Sequence, residues 1–348
     1  MRVTLAQSAG FCYGVRRAVE LARQTAAETG RCWMLGDLIH NVHVVEELKS
    51  IGIQKAESVE ALQPGDTVII RSHGESKQIL DCLKARGVRC VDATCPNVRR
   101  IQILAAQAEA EGRTPVIIGD AAHPEVAGIA SWCGHPLIFS GPEAVEEWLK
   151  QGPKARETPV TVVAQTTCIR ELFETSWKIV KKECTNAKKF DTICTATHKR
   201  QSEAAILAAK ADVMVVVGDR KSASTKHLTE ICKESCSRVV QVENADELPP
   251  DFFSGCSVAG LTAGASTPAG IIKEVYAAMS EEIKAVENNE ESFEELLNQS
   301  FKTLNTGEKV TGIVTAITPT EVQVDVGAKQ AAYIKLSELT DDPSAKPE

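Results

Sequence analysis

Short apolar runs recur along most of this chain, each followed by a loop of small or polar residues and then by a helical pattern. Residues 3–6, 32–35, 66–71, 114–119, 159–164, 213–217 and 257–261 read as strands. The run Val213-Met214-Val215-Val216-Val217 has no polar position, as expected of a parallel strand covered on both faces. Between strands the apolar period changes. Val15, Ala18, Val19 and Ala22 share one helix face, as do Ala204, Ala205, Leu207 and Ala208. This alternation predicts an α/β fold of three similar, pseudo-symmetric units over residues 1–95, 96–189 and 190–280. Residues 281–304 are acidic at first and read as a helix end and linker. From 305 to 348 the pattern is purely β, with strands expected at 307–314, 322–327 and 331–334.

The loops after these strands carry the chemistry. Gly10-Phe11-Cys12-Tyr13-Gly14 joins the first strand to its helix, and Cys12 therefore falls near a helix start. That position favours thiolate, the form that binds metal. Cys95 precedes Pro96 and a helix through Ile101 and Leu104, and Cys194 ends Asp191-Thr192-Ile193-Cys194 before another helix. The three sulfurs are 83 and 99 residues apart, too far for a local zinc knuckle. If three such units converge, their thiolates suit an iron–sulfur cluster with one iron free of protein sulfur. Of the twelve cysteines, the other nine read as structural, including Cys232 and Cys236, which are four apart on one helix.

Histidines follow three of the strands. His40 lies after residues 32–35, His73 after 66–71, and His123 after 114–119 in His123-Pro124-Glu125. The proline fixes that turn, so His123 and Glu125 are placed to address one ligand. The hydroxyl-rich loops Ser222-Ala223-Ser224-Thr225 and Ser266-Thr267 follow later strands. Taken singly, such loops are helix caps. With three histidines at equivalent strand ends they suit a polyanion, although no P-loop or dinucleotide fingerprint is present. His43, His135, His198 and His227 read as surface or capping residues.

A net charge of -8 gives no general attraction to nucleic acid or anionic membrane. No apolar run approaches the roughly 20 residues that span a bilayer. The N-terminus starts a strand at once without a signal-peptide core, so a cytoplasmic location with reduced thiols is expected.

Taken together, the motifs Gly10-Phe11-Cys12, His40-Asn41, Ser72-His73-Gly74, Ala93-Thr94-Cys95-Pro96, His123-Pro124-Glu125, Gln165-Thr166-Thr167, Ile193-Cys194 and Thr262-Ala263-Gly264-Ala265-Ser266 closely resemble the IspH/LytB family of 4-hydroxy-3-methylbut-2-enyl diphosphate reductases. The resemblance covers about residues 1–280. It implies three α/β units around a central [4Fe–4S] cluster held by Cys12, Cys95 and Cys194. It further implies reductive removal of the substrate hydroxyl to give isopentenyl and dimethylallyl diphosphate, the last step of the non-mevalonate isoprenoid pathway. Glu125 would be the proton source, with Thr166 and His123 orienting it and the hydroxyl. His40, His73, Ser222, Ser224 and Ser266 would hold the allylic diphosphate. An electron donor such as ferredoxin or flavodoxin is implied, and no membrane. The loop Lys221-Ser222-Ala223-Ser224-Thr225 departs from the family's usual phrase, close to Asn-Ser-Ser-Asn-Thr; Ser224 replaces an amide with a shorter hydroxyl.

Residues 305–348 resemble the first part of the OB-type RNA-binding repeat of ribosomal proteins. An OB barrel needs five strands, so a partial, truncated repeat is expected. From Gly307 to Glu348 it carries four lysines against seven acidic residues, and Tyr333 is the one aromatic in its strands. Such a piece should bind RNA poorly; RNA or ribosome contact would need the complete repeat. Two other readings stay open: an iron–sulfur hydro-lyase using the open iron as Lewis acid, and an RNA-binding, translation-associated protein. A zinc protein is a weaker third.

Overall fold

The computed structural model describes residues 1–30, 32–249, 251–281, 313–317, 321–325 and 332–335. The chain opens with β1 (Arg2–Leu5) and α1 (Tyr13–Thr29). It continues through β2 (Cys32–Leu35), α2 (Val42–Ser50), β3 (Ile53–Ala56), β4 (Thr67–Ile70), α3 (Lys77–Ala85) and β5 (Arg89–Asp92). Next come α4 (Pro96–Ala110), β6 (Thr114–Ile118), α5 (Pro124–Ala130), β7 (Leu137–Phe139), α6 (Pro142–Leu149) and α7 (Pro153–Glu157). These lead to β8 (Val160–Ala164), α8 (Arg170–Glu183) and β9 (Ala187–Lys189). The third passage holds α9 (Thr195–Ala208), β10 (Val213–Val217), α10 (Ala223–Ser235), β11 (Val239–Val242), β12 (Val258–Ala263) and α11 (Ala269–Glu281).

Three four-stranded parallel sheets result, with orders β3-β2-β4-β5, β7-β6-β8-β9 and β11-β10-β12-β1. The α/β class and the three units match the sequence expectation. Membership of the first strand does not. β1 was grouped with residues 1–95, yet it pairs with β12, from Arg2 opposite Val258 to Leu5 opposite Leu261. Only that placement gives the third sheet a fourth strand, because residues 190–280 supply three. Each sheet then has one plan: a first strand inside, a second on its outer side, a third inside, and a fourth at the other edge.

The inner strands are buried on both faces. β4, β8 and β10 are buried at every position. One face of the first sheet packs Met34, Leu38 and Ile69 against Ala18 and Ala22 of α1, and the other gathers Val68, Ile70 and Leu83. The second sheet does the same with Phe173 on one side and Ile101 and Ile129 on the other. Burying one such aliphatic side chain is worth roughly 1.5–3 kcal/mol, so these layers fix the sheets, and the loops at the strand ends are free to carry chemistry. Cys232 and Cys236 lie within the third core, and Cys236 Sγ bonds to main-chain carbonyls, in keeping with their structural reading.

The carboxy-terminal strands are β13 (Ile313–Ile317), β14 (Glu321–Asp325) and β15 (Ala332–Lys335), antiparallel in that order. Of the strand expected at 307–314, residues 313–314 fall in β13, and 307–312 lie outside the described residues. The linker expected over 281–304 is likewise outside them from 282 onward. Among the described residues no helix is long and apolar enough to cross a membrane.

Candidate functional site

The shared plan of the sheets sorts the site into layers. The first strands β2, β6 and β10 lead to His40, His123 and Ser222. The third strands β4, β8 and β12 lead to His73, Thr166 and Ser266. The fourth strands β5, β9 and β1 lead to Cys95, Cys194 and Cys12. All lie past carboxyl ends of parallel strands, where α/β folds build sites. They line one cavity of about 780 Å3, part of it open to solvent, together with Glu125 and Ser224. Every residue singled out from the sequence for this site is therefore brought to one place.

Each cysteine is the N-cap of a helix: Cys12 of α1, Cys95 of α4 and Cys194 of α9. Each cysteine amide also donates to a carbonyl in the loop after its own sheet's third strand. Cys12 reaches Ala265 O at 3.1 Å, Cys95 reaches Ser72 O at 2.9 Å, and Cys194 reaches Thr166 O at 3.2 Å. One main-chain rule thus places three sulfurs. A Cβ at Gly14 would stand 2.6 Å from Cys95 Sγ, so glycine is required beside Cys12. Burial pushes Cys194 up to about 11 and Cys95 higher still; the nearby thiols add to this in both. Crowded buried thiolates repel one another unless a cation joins them. Three sulfurs so placed fit a metal centre that replaces their protons.

The upper part of the cavity has the opposite need. The ring centroids of His40, His73 and His123 are 4.4–5.5 Å apart. Burial lowers all three from the usual imidazole range, His123 to about 4. They are neutral at pH 7. His40 Nε2 and His73 Nδ1 are buried without a partner, which marks them as waiting for a ligand. The three could in principle grip a metal ion, since their nitrogens lie within 4.8 Å of one another. His123 argues against that. Its Nδ1 accepts from the Glu125 amide at 3.1 Å, so Nε2 of the neutral ring holds the proton and is a donor. A donor at His123 suits an anion.

Ser222 caps α10, and Ser266 Oγ lies 3.4 Å from its hydroxyl while donating to His40 O at 2.9 Å. Ser224 is held by Ala265, whose amide donates to Ser224 Oγ at 3.2 Å. Because Ala265 O receives the Cys12 amide, the altered loop is tied to a cysteine through one residue.

Glu125 stands between the two parts. It is 2% exposed, and burial raises its carboxyl to about 7 in spite of two hydrogen bonds that favour the ionised form. Those come from the Thr166 amide at 2.6 Å and the Thr166 hydroxyl at 2.8 Å. A carboxyl of that strength is an acid poised near neutrality.

The family model described as LytB protein matches residues 3–280. The chain belongs to the LytB family. A second model, the S1 RNA binding domain, matches residues 303–348, the segment of β13–β15. A Clostridium acetobutylicum protein named 4-hydroxy-3-methylbut-2-enyl diphosphate reductase is 38% identical over 98% of this chain and 53% of its own length. A Clostridium tetani relative of the same name gives the same figures. The chain thus spans about half the length of these two. The Caldanaerobacter subterraneus subsp. tengcongensis reductase is 37% identical and is covered over its whole length by 84% of this chain. A solved (E)-4-hydroxy-3-methyl-but-2-enyl diphosphate reductase matches 80% of this chain and 99% of its own at 36% identity, with a TM-score of 0.59. The Plasmodium falciparum reductase, at 23% identity and a TM-score of 0.76, shares the fold over 85% of this chain and 98% of its own.

Two residues of this LytB chain were not found from sequence. Arg200 lines the cavity near Cys194, though a single arginine on an alanine-rich helix reads as a solvent contact. His227 was assigned to the surface or a cap; its Nδ1 instead donates to Thr167 O at 2.6 Å, and the ring lines a second hollow with Gln165 and Cys168. Only contact between α10 and the β8 loop reveals that.

Proposed function

We propose that this chain reductively dehydroxylates (E)-4-hydroxy-3-methylbut-2-enyl diphosphate to isopentenyl and dimethylallyl diphosphate. The reaction consumes two electrons and two protons, breaks one C–O bond, forms one C–H bond and releases water. The observation that carries this reading is the joining, in one cavity, of three converging thiols with a neutral-imidazole cluster and a buried acid. A [4Fe–4S] cluster held by Cys12, Cys95 and Cys194 would supply the electrons and a Lewis-acidic iron for the hydroxyl oxygen.

The chain's own residues do the rest. His40, His73 and His123 present N–H groups to the diphosphate, with Ser222 and Ser266 adding hydroxyls and the α10 start adding its dipole. Binding a polyanion favours imidazolium, so these rings take up protons as the ligand enters. Glu125 in its acid form holds one of the two protons that the reaction needs, the one that goes to carbon, and Thr166 fixes both its oxygens. Transfer to one end or the other of the allyl unit decides between the two products. Enclosure keeps bulk water from competing as the proton source.

Reducing equivalents would come from a small carrier such as ferredoxin or flavodoxin. The net negative charge of the S1-like segment opposes contact with the phosphates of RNA. A hydro-lyase reading shares the sulfur centre but needs no reductant. Anaerobic incubation with substrate, with and without a reduced dye, separates the two. Products that form only with the dye support the reductase, and equal turnover without it contradicts the proposal.

A further inference from the structure

Arg200 lies on α9, six residues after Cys194, and its side chain is only 3% exposed. It lines the cavity beside Cys12 and Cys194. Its Nε and Nη2 donate to Ser8 O at 3.0 and 2.6 Å, and Nη2 donates to Gly10 O at 2.6 Å. All three bonds go to uncharged carbonyls. Nη1 is buried with no partner. The carboxylate one turn on, Glu203, accepts from the Gln7 and Ser8 amides and the Ser8 hydroxyl, and is not bonded to the arginine. A guanidinium so placed is a buried cation whose protein partners carry no compensating charge, which folds tolerate poorly. Burial pulls its proton affinity down, and the sulfurs of Cys12 and Cys194, ahead of Glu203, pull it back up.

We propose that Arg200 is a positioning residue whose fixed positive charge, with the unpartnered Nη1, offsets the negative charge of the sulfur centre built on Cys12 and Cys194, raising its reduction potential and slowing its loss of iron. The inference rests on the cluster reading above. The anion that the guanidinium lacks among its protein partners is the one that three thiolates and their cluster bring. Its three bonds to two carbonyls also clamp the turn before Cys12, so charge and clamp must be told apart.

The test is a potentiometric titration of the anaerobic holoprotein, with iron and sulfide counted on each sample. Arg200→Gln is expected to load its cluster, to show a more negative midpoint, and to lose iron to a chelator several-fold faster. Arg200→Lys keeps the charge but not the two-carbonyl clamp, and its midpoint is expected near wild type. Glu203→Gln removes an opposing charge and is expected to move the midpoint the other way. A loaded Arg200→Gln protein with an unchanged midpoint overturns the inference, as does an Arg200→Lys shift equal to that of Arg200→Gln. If Arg200→Gln fails to fold, Glu203→Gln decides: a positive shift supports the role, and none refutes it. A wild-type protein without iron and sulfide would instead sink the cluster reading beneath it.

Discussion

The sulfur floor and the imidazole rim of the cavity are built by the same three sheets and ask for opposite things. On the floor, Cys95 and Cys194 are driven toward the neutral thiol by burial and then by the Cys12 sulfur, and a cation relieves them. On the rim, His40, His73 and His123 are driven toward the neutral ring by burial, and an anion relieves them. The fourth strands deliver the first group and the first and third strands the second. The difference teaches that burial is the largest cause of the shift in both sets, while residue type decides which ligand each awaits. Glu125, its carboxyl raised to about 7, lies where the two meet and is the proton source of the proposed reaction.

Breaking the floor should have the largest effect. Cys95→Ala is expected to leave a folded protein with little iron and no detectable turnover, checked by iron and sulfide analysis beside the assay. Breaking the seam comes next. Glu125→Gln should lower kcat by about 10²–10⁴-fold, the usual worth of a general acid, with the cluster intact. In the wild type the acid form is the active one; burial raises the pKa, so activity should be full below about 7 and fall as pH rises through it. A profile that rises through that range would contradict the assignment.

Breaking the rim should act on binding. His73→Gln is expected to raise KM by roughly 10–100-fold with a smaller change in kcat, as expected when a buried donor to a charged group is lost. Because bound polyanion favours imidazolium, inorganic diphosphate should bind the wild type more tightly as pH falls from about 8 to about 6. Calorimetry in two buffers would show the proton uptake. The smallest effect belongs to the altered loop. Ser224→Asn restores an amide and should change KM by less than about tenfold, the scale of one hydrogen bond.

Much of this was legible in the chain because buried parallel strands read as apolar runs and their carboxyl ends can be counted. His40, His73, His123 and the three cysteines were found that way. What stayed hidden depends on long-range packing. β1 joins the third sheet because an edge beside β12 is open, a fact about pairing and not about residues 2–5. Local sequence does not show how deeply the loops of Cys95 and Cys194 are covered or how near another sulfur lies. The burial of Arg200 depends on carbonyl partners at Ser8 and Gly10, nearly two hundred residues away, which local sequence does not show.

The central claim is that Glu125 donates the proton at a cavity whose floor carries a cluster and whose rim holds a diphosphate. The most direct test is anaerobic turnover of (E)-4-hydroxy-3-methylbut-2-enyl diphosphate with a reduced dye, wild type against Glu125→Gln, with iron and sulfide counted on both. The account predicts five-carbon diphosphates from the wild type and almost none from the variant at equal cluster content. Equal turnover by both, or a wild type that carries no cluster and still reacts, would contradict it.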